Sequence, residues 1–306
     1  MAKDFHFFSV PVRSALRNFS LASILLACLL GSIFKAEARE VTPFNNGWEF
    51  KKGPFPTDAM QTAARWNADW EQVNVPHTWN ADDMQKKTNN FYAGVAYYRK
   101  HYVFPESLEG KRLFLRFEGV GACAEVYVNG YLVGTHKGAY SAFVCEIGSQ
   151  VRLGEENEIV VKSDNVARPD VIPVNHALFG VYGGIYRPVW LIVTEPCNIV
   201  VNDCASPGVY ITQKNVSKQS ADVSVRVKLD NATLAPAALE LENAIYTREG
   251  KLVKVHRQSF ELTPQGVQSY VSDFKISHPH LWQGREDPYL YKVVSRLKQD
   301  GQVIDE

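Results

Sequence analysis

The chain has 306 residues, 45% of them hydrophobic and 22% charged, with 33 basic and 33 acidic side chains in formal balance. Such a composition is globular rather than disordered. Balanced charge also leaves no electrostatic footprint for nucleic acid or an anionic membrane surface, so neither is expected as a partner.

Lys3, Arg13 and Arg17 precede an apolar run from Leu21 to Phe34, and Ala36-Glu37-Ala38 follows as a small-x-small cleavage site. Residues 1–38 therefore read as a secretory signal peptide. The run is shorter than the roughly 20 residues of a membrane-spanning helix. Leu25-Leu26-Ala27-Cys28 has lipobox character, but Leu29 and Leu30 carry the apolar run past Cys28, which argues against lipid anchoring there. The expected location is periplasmic or extracellular. Export permits disulfides among Cys123, Cys145, Cys197 and Cys204. Sequence does not choose among the pairings, and free buried thiols fit equally well. No Cys-x-x-Cys spacing occurs, so zinc and redox motifs are unsupported.

Beyond a weak helical turn at residues 57–68, strand and turn patterns follow one another. Residues 97–104 alternate and Pro105 stops them. Residues 112–117 place Leu113, Leu115 and Phe117 against Arg112, Phe114 and Arg116. Val126 and Val128 face one way and Tyr127 the other, and Asn129-Gly130 then tolerates the positive φ angles of a two-residue hairpin turn. Residues 158–162 and 187–193 read as further strands. Turn residues recur about every ten positions, the spacing of sandwiches and barrels rather than of βαβ units. Glu195-Pro196 closes this region, and the pattern restarts at Ile199. Strands are expected at 209–211, 221–229, 239–246, 268–276 and 289–297, as in an immunoglobulin-like sandwich. The short join, without Gly- or Ser-rich linker, implies a fixed angle between two β domains.

Several motifs resemble glycoside hydrolase family 2, which includes β-galactosidases and β-glucuronidases. They are Val75-Pro76-His77-Thr78-Trp79-Asn80, Gly94-Val95-Ala96-Tyr97-Tyr98-Arg99-Lys100, and the hairpin with its following loop, Val128 to Tyr140. Gly183-Gly184-Ile185-Tyr186-Arg187-Pro188-Val189-Trp190-Leu191 and Pro279-His280-Leu281-Trp282 with Pro288-Tyr289-Leu290-Tyr291 complete the set, in order across residues 43–297. The resemblance implies an all-β chain. A galactose-binding-like jelly-roll β-sandwich would occupy residues 39–196, and an immunoglobulin-like β-sandwich lacking its last strand residues 197–306. The strand after the turn at Asp300-Gly301 is the one expected to be missing.

Retaining glycosidases of this kind use two carboxyl groups about 5–5.5 Å apart. The resemblance implies that both are glutamates on a (β/α)8 barrel of about 250 residues, and nothing here reads as that barrel. Asn157-Glu158 resembles the family's Asn-Glu pair but opens a sandwich strand. Asp82-Asp83 and Glu286-Asp287 read as solvated turn residues. No catalytic residue, metal site or cofactor is therefore expected in this chain, which would be inactive alone. Its expected partners are carbohydrate, a catalytic barrel absent from the chain, and a second copy in a homo-oligomeric parent.

The resemblance implies that the first domain lends residues to a sugar subsite. Asp164, in Lys162-Ser163-Asp164-Asn165, is the best match, its bland reading being a turn-capping residue. Asn90, or Asn89 beside it, is a weaker match. His176, Phe179, Tyr182 and Tyr186 lie on a long loop able to carry contacts. Trp66, Trp70 and Trp79 suit sugar stacking or, more simply, burial. The leading function is the non-catalytic N-terminal portion of an exported retaining hydrolase resembling β-galactosidase. The alternative is a stand-alone carbohydrate-binding sandwich protein, and a third is a structural sandwich sharing the fold alone.

Overall fold

The computed structural model describes residues 38–53, 69–83, 85, 91–174 and 180–306. The expected leader, the turn at 57–68, Trp66, Asn89, Asn90, His176 and Phe179 all lie outside the described residues. Among those described there are eighteen strands, two 3-10 turns and no α-helix.

The first ten strands build two antiparallel sheets. One has the order β1 (Glu40–Pro43), β10 (Val189–Thr194), β5 (Arg112–Phe117), β8 (Phe143–Glu146). The other runs β3 (Glu71–Val73), β2 (Trp48–Lys52), β4 (Val95–Val103), β9 (Glu156–Asp164), β6 (Cys123–Val128), β7 (Tyr131–Lys137). Their facing sides bury Trp48, Tyr98, Leu115, Phe117, Val126, Val128 and Ile159 in one core. The β6–β7 hairpin turns as its sequence dictates, with φ of 50° at Asn129 and 83° at Gly130. Asn129 also stitches the turn to β9, its side-chain carbonyl accepting from the Glu158 amide at 3.0 Å.

The last eight strands build two more sheets. β13 (Ser220–Asn231) pairs along its length with β16 (Gly266–Ser277) and on its other edge with β11 (Cys197–Ile199) and β12 (Val209–Lys214). The opposing sheet runs β15 (Leu252–Leu262), β14 (Ala237–Tyr246), β17 (Lys292–Gln299), β18 (Gln302–Asp305). Val225, Val227, Leu229, Leu241 and Leu297 fill the space between them. The fold is all-β, a jelly-roll sandwich followed by an immunoglobulin-like one, and sheet membership changes between Thr194 and Cys197.

One expectation is corrected. The strand after Asp300-Gly301 is present as β18, antiparallel to β17. Asp300 and Gly301 take φ of 51° and 78°, a turn that suits a tight hairpin. The far end is held by Asp305, fully buried, which accepts from the Ile199 amide at 2.7 Å and from the Arg39 guanidinium at 2.7 Å.

The outer face of β5 joins the two sandwiches. Alternation puts Arg112, Phe114 and Arg116 on that face, yet Phe114 is fully buried, because Ile192 and Val201 cover it. Arg112 pairs with Glu146 in its own sandwich and reaches Asn198 at 2.9 Å and Asp230 at 2.8 Å in the next. Arg116 donates to the Ala205 carbonyl at 2.6 Å.

Two consequences are measurable by denaturant unfolding. Arg112→Met leaves Asp230 without its cation and is expected to cost about 2–3 kcal/mol, as for a broken, partly buried pair. Glu242 in β14 is ringed by Lys298 at 2.8 Å, Arg257 at 2.7 Å and Arg296 at 3.2 Å. Those cations, the Lys298 hydrogen bond foremost, hold its carboxyl down at about 2 from an ordinary 4.5. A depressed carboxyl stabilises the fold above pH 4.5 and loses that contribution as pH falls toward 2. Glu242→Gln should therefore cost about 2 kcal/mol at pH 7 and close to nothing at pH 2. Asp305 has the opposite sign. Burial raises its pKa despite Arg39, so its contribution grows as pH falls through the folded value.

Candidate functional site

The start of β4, the end of β9 and the start of β6 lie side by side, with Val95 opposite Asp164 and Asp164 opposite Cys123. The loops leaving this end carry most of the motifs singled out in the sequence, and buried side-chain amides tie them together. Asn80 is fully buried. Its side-chain carbonyl accepts from the Gly183 amide at 2.8 Å, and its Nδ2 donates to Asp83 at 2.7 Å and to the Tyr92 carbonyl at 3.0 Å. Asn165, equally buried, accepts from the Gly94 amide at 2.8 Å and donates to the Val181 carbonyl at 2.8 Å. Ser163 Oγ donates to the Gly121 carbonyl at 2.8 Å and accepts from Gly184 N at 3.2 Å. Buried amides with every group partnered fix loop geometry, since an unpaired polar group there costs about 1–3 kcal/mol.

The two adjacent glycines are demanded by what they touch. A Cβ on Gly183 would sit 1.8 Å from the Trp79 indole. At Gly184, where φ is 109°, it would sit 2.3 Å from the Tyr98 hydroxyl and 2.7 Å from the His77 carbonyl. Trp79 is correspondingly buried, stacked on Phe50 with centroids 6.0 Å apart. It serves packing, and its Nε1 donates to the Tyr92 carbonyl at 3.2 Å. His77 Nδ1 lies 2.8 Å from the Tyr98 hydroxyl, and burial lowers the imidazole pKa.

Asp164 ends β9 on this platform, half-buried between the buried Ser163 and Asn165. One carboxylate oxygen accepts from the Val166 amide at 2.8 Å, the local turn bond of the bland reading. The same residue lines a cleft of about 390 Å³ together with Cys123, Glu125, His136, Lys162 and Arg168. Lys162 pairs with Glu125 at 2.7 Å, while Asp170 holds Lys137 at 2.6 Å and Arg168 at 3.2 Å. With Asp164 counted, three cations face three carboxylates, so the cleft presents hydrogen-bonding groups without a strong net field. Burial pushes the Glu125 carboxyl up, but hydrogen bonds from Lys162 and Tyr127 outweigh it and hold the pKa below its ordinary value. Glu125 is thus ionised at neutral pH and unsuited to act as a general acid.

The other sequence candidates are placed as follows. Asn157 is fully buried, with bonds to Asn129, Arg152 and Glu155, and Glu158 faces His101 from within β9. That is a strand residue, as expected. Tyr182 is exposed, edge-on to Phe91 at 6.1 Å, and the Tyr186 hydroxyl donates to the Ala139 carbonyl. Trp70 lies under the Arg99 guanidinium at 4.4 Å. Asp83 is not a solvated turn residue, because it also accepts from the Tyr92 amide at 3.2 Å. Asp287, its side chain 43% exposed, stays at the surface while pairing with His280 at 2.5 Å. The four described cysteines are free, with Cys145 and Cys197 buried and Cys204 exposed. Among the described residues no group of three or more His, Cys, Asp or Glu could hold a metal ion.

Sequence reasoning did not foresee the Asn80–Asn165 network or the Glu125–Lys162 pair. The second had a signal: with Val126 and Val161 inward, Glu125 and Lys162 are register partners on the outer face. The glycine argument is tested by Gly183→Ala. Its Cβ must displace the Trp79 ring from a filled core, which is expected to cost about 3 kcal/mol or more, read as a lowered melting temperature.

Comparison with known proteins agrees with this geometry. Residues 43–196 match the glycosyl hydrolases family 2 sugar binding domain, and residues 207–306 match a second family segment described as glycosyl hydrolases family 2. A β-glucuronidase from Bacteroides fragilis is 36% identical over 92% of this chain and 39% of its own length. A β-galactosidase from Thermoanaerobacter pseudethanolicus is 29% identical over 87% of this chain and 34% of its own. A Bacteroides fragilis protein solved as a candidate β-galactosidase is 70% identical, with a TM-score of 0.84 over 88% of this chain and 40% of that one. The β-glucuronidase 2 of Bacteroides uniformis, solved covalently bound to cyclophellitol-6-carboxylate aziridine, has a TM-score of 0.81 at 30% identity. The chain thus spans about 40% or less of these relatives. It belongs to glycosyl hydrolases family 2, matching the family's sugar-binding and second β-sandwich segments.

Proposed function

We propose that residues 39–306 act as the non-catalytic N-terminal portion of an exported retaining glycoside hydrolase that removes terminal β-linked sugars. The observation that carries this is Asp164, a half-buried carboxylate set at the end of β9 by fully bonded neighbours, inside the segment matched to a sugar binding domain. A carboxylate so placed accepts hydrogen bonds from sugar hydroxyls without reorganising. The chemistry itself needs a second carboxyl group at close spacing. The cleft's other carboxylate, Glu125, is committed to Lys162 and Tyr127. β-Galactoside is the first choice of substrate, supported by the 70% identical solved relative, with β-glucuronide favoured by the 36% identical one.

Purified residues 39–306 are expected to turn over neither p-nitrophenyl β-galactoside nor the β-glucuronide, and hydrolysis above a blank overturns the assignment. Galactose and glucuronate, titrated while the NMR amide signals are followed, should bind in the millimolar range around Val166. Asp164→Asn is expected to weaken that binding at least about tenfold, as loss of a charge-assisted hydrogen bond does. Shifts unchanged in the variant would remove Asp164 from the subsite. Export is read by the mass of the protein recovered outside the cytoplasm, which should begin at Arg39, and a retained leader contradicts it.

A further inference from the structure

Asparagine followed by glycine occurs twice in the chain, at Asn46-Gly47 and at Asn129-Gly130. The dipeptide is chemically labile, because glycine carries no side chain to keep its amide nitrogen away from the asparagine Cγ. Attack by that nitrogen on Cγ closes a five-membered imide and releases ammonia. Its rate depends on how freely the asparagine side chain turns.

The two sites differ in that freedom. Asn129 is half-buried, and its Nδ2 donates to the Gln150 carbonyl and to Asn157 Oδ1, each at 2.8 Å. With the Glu158 amide on its Oδ1, turning the side chain would break three hydrogen bonds, at about 1 kcal/mol each. Asn46 lies exposed in the turn between β1 and β2, and its side chain makes no hydrogen bond among the described residues. Its neighbours are the anchored ones. Asn45 Oδ1 accepts from the Val189 amide at 2.8 Å, and Gly47 N donates to Asn74 Oδ1 at 3.0 Å. The backbone of this turn is held while the Asn46 side chain rotates beside it.

Lys100 stands behind the turn. It is only 8% exposed, its ammonium lies 4.6 Å from the Phe44 ring centroid, and it forms no ion pair among the described residues. It donates instead to the main-chain carbonyl of Asn46. That carbonyl becomes one of the two carbonyls of the imide, and a cation bonded to its oxygen makes its carbon the more electrophilic. Water entering there breaks the bond to Gly47 N and passes a proton to that nitrogen. The former main-chain carbonyl is left as a free carboxylate, and the chain runs on through the side-chain carbon, as isoaspartate. Water entering at the other carbonyl gives ordinary aspartate. Only the first product sets a new carboxylate against Lys100, a buried cation that otherwise meets one neutral oxygen.

We propose that Asn46-Gly47 is a site of spontaneous deamidation in the folded protein, and that Lys100 directs its imide to open to isoaspartate. Overall one water is consumed and one ammonia released. The test incubates the purified chain at mildly alkaline pH, folded in buffer and unfolded in guanidinium chloride, and reads both dipeptides by peptide mass spectrometry. In the folded chain Asn46 should convert while Asn129 stays intact, whereas in denaturant both convert. The ratio of isoaspartate to aspartate formed from Asn46 should be at least about threefold higher in the folded chain, since one polarising donor in acyl chemistry is worth more than that. Lys100→Met should return the ratio to the unfolded value, and if that variant does not fold, the wild-type comparison decides alone. Asn46 left intact in the folded chain, over a period that converts it in denaturant, overturns the site. Equal ratios in the two states overturn the part given to Lys100.

Discussion

Arg112 is the residue on which the arrangement of the two sandwiches depends. It stands on the outer face of a central strand of its own sheet, where a lone cation would be solvated and worth little. Here it is only 11% exposed, its guanidinium spread over Phe114 and its donors shared among Glu146, Asn198 and Asp230. A planar fork of fixed donors suits such divided loyalty better than a lysine would. With Phe114 sealed beneath Val201 and Arg116 bonded to Ala205, one strand presents charge, ring and charge to its neighbour. That contact makes the short join at Pro196 a fixed one rather than a hinge.

Period-two alternation made the inner layers readable. The hairpin at Asn129-Gly130 and the span of β5 follow directly from residue type, because only certain residues accept those φ angles and only one face meets the core. Alternation misleads where a second body covers the outer face, and Phe114 is the example. It fails for β15, whose Lys254, His256, Arg257, Ser259 and Glu261 mask the two-residue period of an exposed edge strand. β18 was legible only as a turn, since its buried end depends on Arg39, whose guanidinium meets it from 266 residues away.

The place of Asp164 at the end of a strand was legible, and the contacts around it much less so. Motif resemblance carried that one position, but the amides of Asn80 and Asn165 act through loops far apart in sequence, and no local pattern announces such partners. Asp83 shows the limit well. A carboxylate in a run of turn residues looks solvated, yet its oxygen bonds both Asn80 and the Tyr92 amide. The result is a division of labour: inward amides and glycines shape the loops, and Asp164 is left at their surface.

The Arg39–Asp305 pair has a consequence for how the molecule is made. The two residues lie 266 positions apart, so the first sandwich can be synthesised well before that guanidinium meets its carboxylate. Only when the β17–β18 hairpin has emerged can Asp305 enter its buried seat beside Ile199. Closure of the second sandwich is then a long-range event that waits on the synthesis of Asp305.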